Sequence, residues 1–186
     1  MTAEVKSGAG GTGESSGGEQ EWPDLAYSLL RRRGTTLFCF VPDAGHQRLI
    51  ERAEADPEVT ALVLSREDEG VAIQAGAHLG GGRAVLLTQS SGVGNCVNFL
   101  SLIKHGRFPF LTLVTMRGGW GEQNPWQYPM GQATESVLNA MGVITVPVDR
   151  PEEVGPSVEA AIGMVDRAGQ AVAVILTQRL LGVKQF

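Results

Sequence analysis

The chain has 186 residues with 42% hydrophobic and 19% charged residues and a net charge of −5, which is the size and balance of one globular domain with or without a tail. The acidic balance argues against a general nucleic-acid binder and a polybasic membrane anchor. Two cysteines, Cys39 and Cys96, exclude a disulfide scaffold and a four-cysteine zinc site. No apolar run approaches the ~20 residues of a membrane span, and the first residues lack the apolar centre of a signal peptide. The expectation is a cytoplasmic protein whose thiols are free and buried.

Residues 1–21 hold six Gly and three Ser, and Met1 and Val5 are the only large apolar residues there. That composition buries too little to offset chain ordering and predicts a disordered tail, leaving 22–186 as the folded domain. Residues 23–33 open on Pro23 and space Leu25, Leu29 and Leu30 as a helix, stopped by Gly34. A continuous apolar strand follows over 35–41. Residues 42–45 form a turn, from which Asp43 is expected to cap a helix reaching about residue 54. A second apolar strand covers 59–64, a helix of small residues 65–80, and a third strand 84–88. Residues 89–95 read as a polar, Gly-rich loop, 96–105 as a helix and 108–115 as a fourth strand. A long loop rich in Gly, Trp and Pro spans 116–131 and leads into a helix ending near residue 141. A fifth strand spans 143–148. A helix follows over 151–168, with Glu152 and Glu153 in its first turn where the helix dipole favours acids, and a sixth strand covers 171–177.

Short, apolar strands alternating with helices predict an α/β fold of three layers, α/β/α, on a six-stranded, mostly parallel sheet covered on both faces. In such folds the ligand lies outside the carboxyl ends of the strands. That rule selects residues 41–45, 65–69, 88–95 and 115–130, where the polar and Gly residues also concentrate.

Taken alone, each signal in those segments has a plain alternative. The amides of Gln89-Ser90-Ser91-Gly92-Val93-Gly94-Asn95 suit a phosphate cradle or a tight turn equally. Glu67-Asp68-Glu69 opens a helix, which dipole placement explains by itself. His46, His78 and His105 show no metal-ligand spacing. Trp120 and Trp126 suit a lid or partner surface, or an ordinary packed loop.

Taken together, the segments resemble a known family. The order is strand, VPDA, helix, strand, REDEGVAIQAGAHLGG, strand, TQSSGVGN, helix, strand, MRG, long loop, GQAT, helix, strand, helix, strand. It is similar to the pyrimidine-binding domain of thiamine diphosphate-dependent decarboxylases, in particular the sulfopyruvate and phosphonopyruvate decarboxylase branch. The resemblance covers about residues 23–177. It implies that Glu67, counted back from Ala75-Gly76, is the catalytic glutamate that binds the cofactor's aminopyrimidine. It implies that Gln89, Ser90, Ser91, Gly92, Val93 and Asn95 also border the cofactor. Deprotonation of the cofactor's reactive carbon uses its own imino group, which requires N1′ of the pyrimidine to be protonated or strongly hydrogen-bonded, and a buried carboxylic acid does this.

Family members also need a domain that binds the diphosphate through magnesium and carries Gly-Asp-Gly, a tripeptide absent from this chain. The resemblance therefore implies a split enzyme. In it, a separate beta subunit with Gly-Asp-Gly holds Mg2+, pyrimidine domains pair with one another, and the substrate is a small 2-oxo acid. Substrate-side candidates are Asp43, His46, His105 and Arg117, with Arg48, Lys104 and Arg107 as further cations. The loop GGWGEQNPWQYP departs from the branch's Arg-Gly-Glu-Pro-Gly. A carboligase of the acyloin or acetolactate synthase type and a non-catalytic regulatory domain are the competing readings.

Overall fold

A computed structural model describes residues 21–183. The tail expected over 1–21 lies outside these residues, apart from Glu21. The elements are α1 (Trp22–Arg32), β1 (Leu37–Phe40), α2 (Gln47–Ala55), β2 (Thr60–Val63), α3 (Glu67–Leu79), β3 (Ala84–Gln89), α4 (Ser90–Cys96), α5 (Leu100–Gly106), β4 (Phe110–Thr115), α6 (Tyr128–Ala140), β5 (Ile144–Val148), α7 (Pro151–Ala168), β6 (Ala171–Leu176) and α8 (Gln178–Leu181). Short 3₁₀ turns at Ala44–His46 and Pro125–Gln127 lead into α2 and α6.

The six strands form one sheet in the order β2-β1-β3-β4-β6-β5, and every pairing is parallel. Side chains alternate between its faces. Phe38, Phe40, Val85, Leu87, Leu111, Leu113, Val172 and Val174 pack with α1, α2 and α7. Cys39, Leu86, Phe110, Val114, Ala173 and Ile175 pack with α3, α4, α5 and α6. Two apolar layers of this kind need strands that are apolar on both faces, as the sequence pattern predicts. Both cysteines are free and buried, and burial pushes each thiol up to about 12, with the carboxylates of Glu67 and Asp68 adding to the rise at Cys96. No helix among the described residues is long and apolar enough to cross a membrane.

Three local expectations are corrected. The stretch 89–95 is not a loop: Gln89 ends β3 and the rest folds as α4, a separate helix broken from α5 at residues 97–99. Glycine lowers helix propensity, but here Gly92 is held in the helix by close packing against α3. Asp43 makes no capping hydrogen bond; its carboxylate is taken by side chains from the sheet, described below. β2 is not covered like the central strands: three of its four residues are exposed, with Val63 at 57%, because it is an edge strand. Helix α8 has no counterpart in the sequence reading.

The strand order reverses direction after β1: the chain moves outward to β2, then crosses back to β3 on the other side. Adjacent connections leaving in opposite directions open a crevice at the carboxyl ends of β1 and β3. The β3–β4 register sets Gln89 beside Thr115 at that rim.

Candidate functional site

Two groups of side chains occupy the carboxyl edge of the sheet. The first is built on Glu67, the first residue of α3. The start of a helix favours a carboxylate through the helix dipole and unpaired amides. Asn95 Nδ2 on α4 donates to Glu67 Oε2 at 2.7 Å. Among the described residues Oε1 has no hydrogen-bond partner. Gly92 lies under the Glu67 side chain: a Cβ there would sit 2.6 Å from Glu67 Cγ and Cδ and would also strike Thr88 Oγ1. Asp68 points inward and pairs with Arg66 at 3.0 Å, and Glu69 Oε2 accepts the Ser65 N–H. Of the three adjacent acids, Glu67 is therefore the one held by a neighbouring helix with an oxygen left over. We expect Gly92→Ala to push the Glu67 carboxylate away from Asn95 and to cost about 1–3 kcal/mol through overpacking. Thermal denaturation and the activity of the assembled enzyme measure the two effects, and an unchanged melting point would mean that the space under Glu67 is not needed.

The second group surrounds a cleft of about 450 Å³ lined by residues that include Asp43, Gly45, Gln89, Thr115, Arg117 and Val183. Thr115 Oγ1 donates to Asp43 Oδ2 at 2.6 Å and Gln89 Nε2 donates to Oδ1 at 3.0 Å. Ser91 Oγ donates to Gln89 Oε1 at 2.9 Å. The chain Ser91–Gln89–Asp43–Thr115 thus fixes one carboxylate at the crevice. Gly45 is required beside it, since a Cβ there would meet Thr115 Cγ2 at 2.7 Å.

Other residues selected from the sequence take different places. His46 is buried at 1% exposure, and its Nε2 lies 3.1 Å from Leu113 O and 3.3 Å from Thr88 O. Two carbonyl acceptors require Nε2 to carry the proton, and burial pushes the imidazole's pKa down; it braces the sheet instead of facing the cleft. His105 is in the last turn of α5, two residues before the arginine turn that leads to β4, so it lies at the amino edge of the sheet, away from the crevice. Ser90 is buried, with its Oγ accepting the Arg117 N–H at 3.1 Å, and Val93 belongs to the core. Both hold α4 in place.

Arg117 is also redirected. Its Nε and Nη2 donate to Glu122 Oε2 and Oε1 at 2.6 and 2.7 Å. Glu122 further accepts the N–H groups of Gly118, Gln123 and Asn124 and Nε2 of Gln178. With 1% of its side chain exposed, this carboxylate organises the loop 116–124, and Arg117 foremost holds its pKa well below the usual carboxylate range. Sequence reading overlooked Glu122, Gln178 and Thr115. The available signal was a lone acid in GGWGEQNP, a loop full of backbone donors with no strand to satisfy them. Trp120 and Trp126, on this loop and the following turn, are 58% and 84% exposed.

Among the described residues no group of three or more His, Cys, Asp or Glu is placed to hold a metal ion. What the edge offers is the Glu67 carboxylate on a helix start, with one oxygen held by Asn95 and one unpartnered, beside the inward Asp68 whose Oδ1 is also unpartnered, a further carboxylate fixed in a cleft, and a rim of amide and hydroxyl groups.

No family model matches the sequence. Sulfopyruvate decarboxylase subunit alpha of Methanothermobacter thermautotrophicus is 32% identical over 154 residues, 82% of this chain and 93% of that protein. The protein of the same name from Methanocaldococcus jannaschii is 32% identical over 150 residues, covering 80% and 89%. Phosphonopyruvate decarboxylase of Streptomyces viridochromogenes is 38% identical over 108 residues, 57% of this chain but 27% of that larger protein. Among solved structures, a 2-oxoglutarate:ferredoxin oxidoreductase from Magnetococcus marinus superposes with TM-score 0.70 at 14% identity, over 87% of this chain and 29% of that one. A protein from Mycobacterium smegmatis assigned as a thiamin diphosphate-dependent enzyme gives TM-score 0.65 at 15% identity, over 91% and 34%. The structural likeness speaks for the fold, and the sequence identity across nearly the full length of the first two relatives speaks for descent. The chain belongs to the alpha-subunit family of the thiamine diphosphate-dependent sulfopyruvate decarboxylases.

Proposed function

We propose that residues 22–186 are the pyrimidine-binding domain of a two-chain decarboxylase, in which Glu67 serves the aminopyrimidine of thiamine diphosphate. The observation that carries this reading is the state of the Glu67 carboxylate: Oε2 is held by Asn95, Oε1 is without a partner, and Gly92 leaves room beneath it. A proton-sharing ring nitrogen is the kind of group that such an oxygen accepts, so the residues present fit the cofactor. Gln89, Ser91 and Asn95 would form the polar rim around it. When bound, thiamine diphosphate supplies the carbon nucleophile and the electron sink that allow carbon dioxide to leave a 2-oxo acid.

The work of this chain is then narrow. Glu67 holds a proton between Oε1 and the pyrimidine nitrogen. Asn95 fixes the carboxylate so that the oxygen stays aimed at that position. Asp43, held by Thr115 and Gln89, orients the substrate in the neighbouring cleft. The substrate is a small 2-oxo acid with a sulfonate or phosphonate end, in line with the names of the relatives. The diphosphate and Mg2+ are held by a beta subunit carrying Gly-Asp-Gly. The exposed Trp126 and the loop beside it contribute to the joint with that subunit. Pyrimidine domains pair with one another in a cytoplasmic assembly holding at least two copies of each chain.

Calorimetric titration tests the division of labour. The purified chain should show no tight, magnesium-dependent binding of thiamine diphosphate, and addition of the beta subunit should create it. Tight binding by this chain alone would overturn the two-chain reading.

A further inference from the structure

The opposite, amino edge of the sheet holds a second cleft of about 430 Å³, lined by Gln74, His78, Arg33, Arg83, Arg107 and Asp166 among others. Its two lining residues on α3, Gln74 and His78, lie roughly 10 Å and 16 Å along the helix from Glu67 at about 1.5 Å per residue. Nothing in the proposed decarboxylase function uses it.

Three features of this cleft point to a ligand. The first is Gln74, which is 4% exposed. Its Oε1 accepts the Leu111 N–H at 3.2 Å. Because that backbone partner is a donor, the oxygen must face it, and this settles which way the amide is turned. The Nε2 group therefore faces away from the strand, buried and without a partner. A buried amide donor left unpaired is costly unless something accepts from it.

The second feature is an excess of guanidinium over carboxylate. Asp166 is engaged by Arg33, with Nη2 at 2.8 Å and Nε at 3.0 Å from Oδ1. Arg83 reaches the same carboxylate only at 3.7 Å, and half of its side chain is exposed. The Arg107 side chain has no hydrogen bond or ion pair among the described residues; only its backbone N–H is engaged, on Ile103 O at the end of α5. Arg107 and the loosely paired Arg83 thus line the cleft as forked cations.

The third feature is the backbone of Arg107. It stands in the left-handed position that ends α5, with φ at 53°. It is the one non-glycine residue with positive φ among the described residues. Glycine is the usual choice there because side chains are strained in that region. An arginine at a strained helix end beside a cavity points to a use for its side chain.

We propose that this cleft is a second ligand site, which binds a small oxyanion of the phosphate or phosphate-ester class. Guanidinium forks match the geometry and charge of phosphate oxygens, and Gln74 Nε2 supplies the buried donor that closes on a further oxygen. The ligand enters from the amino edge and leaves the Glu67 edge open. This site does not depend on which 2-oxo acid the enzyme consumes.

The test is an NMR titration of the full chain with inorganic phosphate, at constant ionic strength set by chloride. The expected result is a saturable shift of the Gln74 side-chain amide and of the Arg107 Nε–H. Gln74→Glu keeps the oxygen that serves Leu111 and removes the donor. It should weaken binding at least tenfold. Arg107→Gly relieves the left-handed strain, so it should raise the melting temperature while weakening phosphate at least tenfold. Arg150→Ala, on the other edge, should bind as the unaltered chain does. Shifts that rise linearly without saturation, or phosphate binding unchanged in both Gln74→Glu and Arg107→Gly, would overturn the proposal.

Discussion

Glu67→Gln is expected to leave the fold and the two-chain assembly intact and to lower the decarboxylation rate by about 10²–10⁴-fold, the range for removing a positioned acid–base group. The amide is nearly isosteric, and its oxygen still accepts from Asn95, which holds Oε2 at 2.7 Å in the native chain. What is lost is the capacity to share a proton at the other oxygen. The effect should appear earlier than decarboxylation itself. Exchange of the C2 proton of bound thiamine diphosphate, followed by NMR in the assembled enzyme, should slow by a similar factor. Glu69→Gln is the control: its carboxylate accepts a backbone N–H of its own helix entry and should matter far less. Undiminished C2–H exchange in Glu67→Gln would remove Glu67 from its assigned role.

Glu122→Gln should produce the largest loss of stability. The carboxylate is almost fully enclosed and is the common acceptor for Arg117, three backbone N–H groups and Gln178. The amide cannot accept on both sides, and it leaves the Arg117 guanidinium, itself 14% exposed, without its counter-charge. Breaking a buried pair on one side costs about 3–5 kcal/mol. For a domain of this size that corresponds to a fall in melting temperature of roughly 10 °C. The same substitution should reveal itself in the pH dependence. Arg117 lowers the Glu122 pKa in the folded chain relative to its ordinary value of 4.5. A depressed carboxyl stabilises fully above the unfolded value and loses that contribution as pH falls toward the folded one. The stability gap between native chain and Glu122→Gln should therefore be constant near neutrality and narrow progressively below about pH 4.5. A gap that stays level down to pH 3 would show that the Glu122 charge does not organise the loop. Arg117→Ala should act mainly through the same loop. It then lowers stability together with substrate affinity, instead of raising the Michaelis constant alone as a direct substrate contact would.

The sequence by itself determined the layers and the direction of the sheet. Apolar runs such as FLTLVT and AVAVIL leave no polar face, so their strands must be buried on both sides, and helical spacing between them forces parallel crossovers. Glu67 was legible only through the family resemblance, counted back from Ala75-Gly76, since an acid at a helix start is explained locally by the helix dipole. The tertiary structure decided what depends on the meeting of distant segments. Residues 90–96 became a helix because Gly92 fits beneath Glu67, 25 residues away in the chain. Asp43 is a cleft carboxylate and not a helix cap because the strand register brings Gln89 and Thr115 to it across the sheet. His46 turned inward because two strand carbonyls accept from its ring. Arg117 looked like a cation for an anionic substrate until folding placed Glu122 against it. In each case the side chain had several polar partners available, and local spacing cannot rank them; only the packed geometry decides which distances close.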